Sequence, residues 1–269
     1  MSQFQTIEKI SEATLNSELQ NRRDHFKKLG ALAKTLAVTA VPTILLSSIP
    51  KISKAATNDV VIDAMNFLLK VEYLQNDFYT QALASGIIPS GNLTAFQQIA
   101  KQNAAQVDFL ALVIQSYGGK TIAKPTFNFT LSGSVSPFTV FTDFLLLSQA
   151  FSDLAVRAYK GQAGNLISNN DLLTASVQLQ SVEARHAAIV RRLRAKMGAD
   201  ASLKGWVTAN NRGTLPASLQ PIYDLDDTIQ QYGVVLSGIT SVTGNALTEA
   251  FDEPLTSSAV TSILANFIV

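Results

Sequence analysis

The chain has 269 residues, 47% of them apolar, enough to bury a sizeable core in one large or two small domains. Its 21 Lys and Arg balance 20 Asp and Glu, and the resulting net charge of +1 leaves no electrostatic footprint for nucleic acid, which is excluded as a partner. The absence of cysteine excludes disulfides, thiolate metal sites, iron–sulfur clusters and cysteine nucleophiles, so any metal must bind through oxygen or imidazole.

A charged fraction of only 15%, with Ser, Thr, Asn and Gln supplying the other polar groups, suits an exported protein. The N-terminus reads as the matching address. "NRRDHFKK" at 21–28 precedes an apolar stretch from Thr35 to Ile49 that Pro42 interrupts. That stretch is shorter than the roughly 17–25 apolar residues a bilayer span needs, and it has the character of a signal-peptide core. The order Arg22-Arg23-Asp24-His25-Phe26-Lys27 resembles a twin-arginine export signal, with His25 standing where phenylalanine is usual. Ser53 and Ala55 are small residues ahead of an expected cleavage point, although Lys54 lies between them. Residues 1–55 are therefore expected to be signal peptide and linker, with the mature chain starting near Ala56 in the periplasm or envelope of a bacterium. An uncleaved signal would leave the protein tethered to the membrane. The alternative is a basic helix start leading into a core helix.

Four long apolar-periodic stretches follow. The first runs from about 58 to 84, with Met65, Leu68, Leu69, Glu72, Tyr79 and Leu83 on one stripe. The second runs from about 93 to 117, with Phe96, Ile99, Asn103, Gln106, Leu110 and Val113. Ser136 as cap and Pro137 as first helical residue open the third, which is expected to end near Gly161. The fourth opens at "SNND" and closes on "RRLRAKMG", basic residues followed by Gly198. Helices of roughly 25 residues, about 38 Å each, suit a bundle. "SGIIPSGN" and "GQAGNLIS" are short links, each expected to join an antiparallel pair, whereas the glycine-rich segment from Gly118 to Ser136 is a long crossover between helices two and three, with "TFNFTL" extended.

After Gly198 the periodicity weakens. "IYDLDDTIQQYG" is expected to be a short helix, with Asp224 to Asp227 as its acidic start rather than a calcium loop, which needs spaced ligands and a glycine. "TSSAVTSILANFIV" reads as a capped terminal helix packing on the bundle. The expected architecture is all-α: a four-helix bundle over 56–198 and a helical extension over 199–269.

Several stretches resemble the ferritin-like family that includes desiccation-related proteins: "LLKVEYLQNDFYTQAL", "QAFSDLAVRAYKG", "SVEARHAAIVRRL" and "AFDEPLTSSAVTSILANFI". The similarity runs in order over roughly residues 58–269. It implies a ferritin-like bundle, whose two-metal site takes a glutamate from each of two helices and a Glu-x-x-His from each of the other two. Glu72 stands at the single-glutamate position of the first helix, and Glu183 with His186 forms the Glu-x-x-His of the fourth. At the remaining positions stand Asn103 and Gln106 on the second helix and Ser152 on the third. Asp77 and Asp153 lie one helical position, about 100°, off the inward stripe.

Two readings follow. In one, the protein has lost its metal and serves a structural or stress-related role in the envelope, the Glu183–His186 pair surviving as a hydrogen-bonded remnant, with Arg185 or Arg157 neutralising the glutamate. In the other, Glu72, Glu183 and His186 hold a single Fe, Mn or Zn ion and support modest oxidative chemistry. A homo-oligomer is compatible with both, and the sequence names no partner. Tyr73, Phe78, Tyr79 and Phe151, at helical spacing, are expected to fill the core. No Gly-x-Ser-x-Gly elbow, phosphate loop or dinucleotide fingerprint occurs, so no hydrolase or nucleotide enzyme is indicated.

Overall fold

The computed structural model describes residues 55–231, 234–242 and 244–269. The expected export signal with Arg22 and Arg23 lies outside the described residues.

Four long helices dominate: α1 (Ala55–Ser85), α2 (Ser90–Ser116), α3 (Phe141–Leu166) and α4 (Asn170–Lys196). α1 packs on α2, α3 packs on α4, and α1 also packs on α3, which joins the two pairs. Residues 86–89 and 167–169 are the tight links inside each pair, and residues 117–140 form the long crossover between α2 and α3. This is the expected four-helix arrangement with one mid-bundle crossover. Among the described residues, no helix is long and apolar enough to cross a membrane.

α4 shows why its ends fall where they do. The Asn169 side chain accepts the Leu172 amide at 3.1 Å, satisfying one of the donors a helix start leaves open, and Gly198 takes φ +79°, a left-handed turn that suits a residue without Cβ. Arg194 and Lys196 sit in the last turn, where cations meet the carbonyl end of the helix.

The third helix departs from expectation at both ends. Ser136 and Pro137 form a turn instead of the helix start, closed by the Val140 amide on the Ser136 carbonyl at 2.9 Å. Extended Val140 then precedes the helix, and the Asp143 carboxylate reaches back to accept the Ser136 amide at 2.8 Å. At the other end the helix passes through Gly161 and Gly164 to Leu166. Glycine weakens a helix by roughly 1 kcal/mol against alanine, but tertiary packing overrides that preference here. A Cβ at Gly161 would lie 2.0 Å from the Leu255 carbonyl oxygen, so the glycine is the opening through which the extension meets the helix.

The apolar interior forms two clusters. Phe78, Phe96, Phe144, Phe151 and Leu154 fill one end, together with Phe129 of the crossover and Phe267 of the C-terminus. Met65, Leu68, Leu110, Ile114 and Leu172 fill the other. On α2, Asn103 and Gln106 fall between Ile99 of the first cluster and Leu110 of the second, and on α4 Glu183 and His186 fall between Leu172 and Val190, so a polar waist lies between two apolar ends.

The described residues after 198 pack on α3 and reach α4. They comprise a 3₁₀-helix (Ala217–Ile222), a short antiparallel pair β1 (Gln230–Gln231) and β2 (Val234–Val235), a 3₁₀ turn (Leu236–Gly238), α5 (Asn245–Thr248) and α6 (Ser257–Leu264). α6 is the expected terminal helix, its start capped by Thr256 accepting the Ala259 amide at 3.1 Å. "IYDLDD", by contrast, is the end of the 3₁₀-helix and a turn, so the acidic run opens no helix. The reason is the use made of Asp226, which is drawn inward to accept the Glu253 amide at 2.6 Å. The extended crossover segment pairs with the chain end: the Asn128 amide donates to the Phe267 carbonyl at 2.7 Å, and the Val269 amide to that of Thr126 at 3.0 Å.

Three buried arginines fasten this extension. Arg157 of α3 donates to the carbonyls of Glu253 at 2.7 Å, Asp224 at 2.8 Å and Ile222. Arg191 of α4 pairs with Asp153 and donates to the Trp206 carbonyl at 3.2 Å. Arg194 reaches the Gln149 side chain and donates to the Thr214 hydroxyl at 3.1 Å. A guanidinium with several fixed donors satisfies scattered loop carbonyls that have no ladder partner.

Candidate functional site

The polar waist is built from one or two turns of each helix. α1 contributes Glu72, Gln75 and Tyr79, spaced three and four residues apart, so one face carries all three. α2 contributes Asn103 and Gln106, α3 contributes Ser148, Ser152 and Tyr159, and α4 contributes Glu183 and His186. All are buried. The ligand positions expected from sequence, Glu72, Asn103, Gln106, Ser152, Glu183 and His186, are all among these buried residues. Gln75, Tyr79 and Ser148 are further members, and Tyr159 is a direct partner of Glu72, a role its sequence position signals only through its heptad spacing from Ser152.

Both Glu72 oxygens are engaged. Tyr159 donates its hydroxyl to one at 2.6 Å, and Asn103 donates its amide to the other at 3.2 Å. Burial, followed by the nearby Glu183 carboxylate, holds the Glu72 carboxyl well above the usual carboxylate range, and the Tyr159 and Asn103 donors oppose this. Burial next to Glu72 likewise pushes the Tyr159 phenol well up. Gln75 donates to one Glu183 oxygen at 3.0 Å, and the other lies 3.3 Å from His186 Nδ1. That contact is at ion-pair distance but not aligned as a hydrogen bond. The remaining imidazole nitrogen, Nε2, meets the Gln102 side-chain oxygen at 2.7 Å. Gln102 is a second partner that lies off the inward stripe of α2.

The neighbouring arginines do not serve this layer. Arg157 turns to the extension and Arg185 is exposed, so neither neutralises Glu183 as expected from sequence. Asp77 and Asp153 are engaged elsewhere: Asp77 pairs with Lys124 of the crossover, and Asp153 pairs with Arg191. Phe78, Tyr79 and Phe151 are fully buried core residues, while Tyr73 is partly buried against the apolar clusters.

The layer is not fully satisfied. Buried atoms without a hydrogen bond include Gln75 Oε1, Asn103 Oδ1, Gln106 Nε2, Glu183 Oε1 and His186 Nδ1, with the hydroxyls of Tyr79, Ser148 and Ser152. The two serine hydroxyls face Tyr79, where they counter the upward push of burial on its phenol, yet none of the three makes a well-formed hydrogen bond. Among the described residues, no three His, Asp or Glu side chains are grouped so as to hold one metal ion. The arrangement offers two close carboxylates and one imidazole, surrounded by neutral amides and hydroxyls.

No curated protein matches the chain. The ferritin-like domain matches residues 60–196, from within α1 to the end of α4, and takes in this polar layer. By that match over half its length, and with the four-helix architecture to go with it, the chain belongs to the ferritin-like domain family.

Proposed function

We propose that this is an exported ferritin-like protein with a degenerate two-metal site, serving a structural, stress- or desiccation-related role in the cell envelope without robust catalysis. The observation that carries this reading is the set of neutral side chains, Asn103, Gln106 and Ser152, within the same buried layer as Glu72, Glu183 and His186. Two closely spaced metal ions need several carboxylates to offset their charge. Here both oxygens of Glu72 already accept hydrogen bonds, and Gln106 turns a buried amide donor into the layer. These residues do not fit a two-metal centre. Export is supported by the Arg22-Arg23 pattern and its apolar sequel, and the stress-related role by the resemblance of "VEARHAA" and "FDEPLT" to desiccation-related proteins.

A second reading is favoured by one observation. Glu183 Oε1 and His186 Nδ1 are buried, 3.3 Å apart and without hydrogen bonds, a carboxylate oxygen and an imidazole nitrogen of the kind that could ligate one ion. In that reading Glu72, Glu183 and His186 bind a single Fe, Mn or Zn and support weak oxidative activity.

Elemental analysis separates the two. The protein is produced with Fe, Mn and Zn available, beside the Glu183→Ala/His186→Ala double variant. The first reading expects no stoichiometric metal in either and a melting temperature unmoved by chelator. About one metal per chain in the parent alone, lost to chelator together with a few kcal/mol of stability, would establish the second. Arg22→Lys/Arg23→Lys should leave the protein in the cytoplasm on cell fractionation, and unchanged export in that variant would remove the twin-arginine reading.

A further inference from the structure

Away from the bundle waist, Asp226 is another buried carboxylate with one oxygen left without a hydrogen bond. It sits 1% exposed in the turn after the 3₁₀-helix, where that turn meets α3 and the strap of residues 251–256 leading into α6. Its Oδ1 accepts the Glu253 amide at 2.6 Å and lies 3.5 Å from Arg157 Nε. Its Oδ2 has no hydrogen bond. Arg157 directs Nε, Nη1 and Nη2 at the carbonyls of Glu253, Ile222 and Asp224 and makes no hydrogen bond to Oδ2. Asp153, one helical turn away on α3, shows the contrast: Arg191 and the Tyr223 hydroxyl meet both of its oxygens. Both oxygens of Asp153 are thus satisfied, whereas Asp226 has one oxygen to spare.

We propose that Asp226 is a proton-operated latch: with its carboxyl protonated, the turn and the strap close firmly on α3, and loss of that proton favours local opening of this junction while the bundle stays folded. The charged groups acting on Asp226 are Arg157 and Asp153 of α3 and Asp252 of the strap, with the Glu253 amide as its hydrogen-bond donor. Burial, the largest influence, raises the carboxyl to about 7; Arg157 and the Glu253 amide pull down, while Asp252 and Asp153 push up. An opened junction returns the carboxyl to water and to a value near 3.9. Between roughly pH 4 and 7 the closed form therefore holds a proton that the open form has released, so closure is firmest in acid and weakens as pH rises, levelling off above 7. What opens is defined by the bonds at the junction. These are the Leu255 amide on the Arg157 carbonyl at 3.1 Å, the Glu253 amide on Asp226, and the Lys160 ammonium on the Asp252 carbonyl at 2.6 Å.

Amide hydrogen exchange on the full chain, corrected for the pH dependence of intrinsic exchange, tests this. Protection of the Glu253 and Leu255 amides should fall by up to about tenfold per pH unit from roughly pH 5 to 7, while α1 amides stay flat. In Asp226→Asn, which keeps the shape and removes the charge, the slope should vanish and protection should persist at alkaline pH. A flat profile in the parent, an equal slope in Asp226→Asn, or an equal fall in α1 would each overturn the latch. Should Asp226→Asn fail to fold, isotope-edited NMR of the parent decides: an Asp226 carboxyl titrating near 7 supports the latch, and one titrating below about 5 rejects it.

Discussion

Arg191 holds Asp153 at two points, Nε to Oδ1 at 2.9 Å and Nη2 to Oδ2 at 2.6 Å, with both side chains buried between α3 and α4. The Tyr223 hydroxyl adds a third bond to the same carboxylate at 2.6 Å, so the pair joins two bundle helices to the extension. Removing one partner of a buried ion pair strands the other, at a cost of about 3–5 kcal/mol. Arg191→Met should show that loss in urea denaturation, and adding Asp153→Leu should recover much of it. A single-variant loss under about 1 kcal/mol would show that water reaches the pair.

Gly161 is the point of closest approach between α3 and the strap. In an open helix, alanine would be worth up to about 1 kcal/mol over glycine. Here a Cβ would lie 2.0 Å from the Leu255 carbonyl oxygen, and backbone must move. Gly161→Ala should therefore destabilise by about 1–3 kcal/mol, and Gly164→Ala, whose Cβ meets nothing within 4 Å, should be neutral or stabilising. Thermal melts of the two variants side by side provide the check.

Phe78 is the hub of the larger apolar cluster. Its ring lies 5.0 Å from Phe151, 5.3 Å from Phe144 and 5.2 Å from Phe129, centroid to centroid, so it ties α1 to α3 and to the crossover. Phe78→Ala should cost about 3–5 kcal/mol. Phe141→Ala, at the partly buried edge of the same cluster, should cost clearly less by the same denaturant titration.

Glu72 gives the bundle its own pH dependence. Its folded carboxyl is held well above the ordinary value, chiefly by burial, so the folded state keeps a proton that the unfolded chain releases. Stability is thus highest below the usual carboxylate range and declines as pH rises toward the raised folded value. Glu72→Gln should flatten this decline, because a neutral amide meets the same partners: its oxygen accepts from Tyr159, and a rotated Asn103 offers its unbonded Oδ1. Melting temperatures measured across pH in parent and variant should diverge upward with pH; parallel curves would show that Glu72 does not titrate in this window.

The long helices were legible because their signals are local. Apolar spacing, the Asn169 cap and the Gly198 stop act within a turn or two, and α4 ends within a residue of where they place it. The crossover and the polar stripes on α1, α2 and α4 were readable for the same reason, and Glu72, Asn103, Gln106, Glu183 and His186 do share one layer. The third helix was misplaced where local signals conflict with distant contacts. Ser136-Pro137 looks like a start, but Asp143 turns it into a preceding turn; Gly161 looks like an end, but Leu255 needs the space it leaves.

Sequence by itself thus determined the number of long helices, their approximate registers and the polar character of their inward faces, because helical periodicity and capping depend on neighbours in the chain. Tertiary structure alone decided which polar groups are partners. Tyr159 bonds Glu72 across a separation of 87 residues, Gln75 bonds Glu183 across 108, and Arg157 leaves the bundle waist for a carbonyl 96 residues away. A buried charge takes whichever donor the fold brings within about 3 Å, and that choice is made by packing rather than by spacing along the chain.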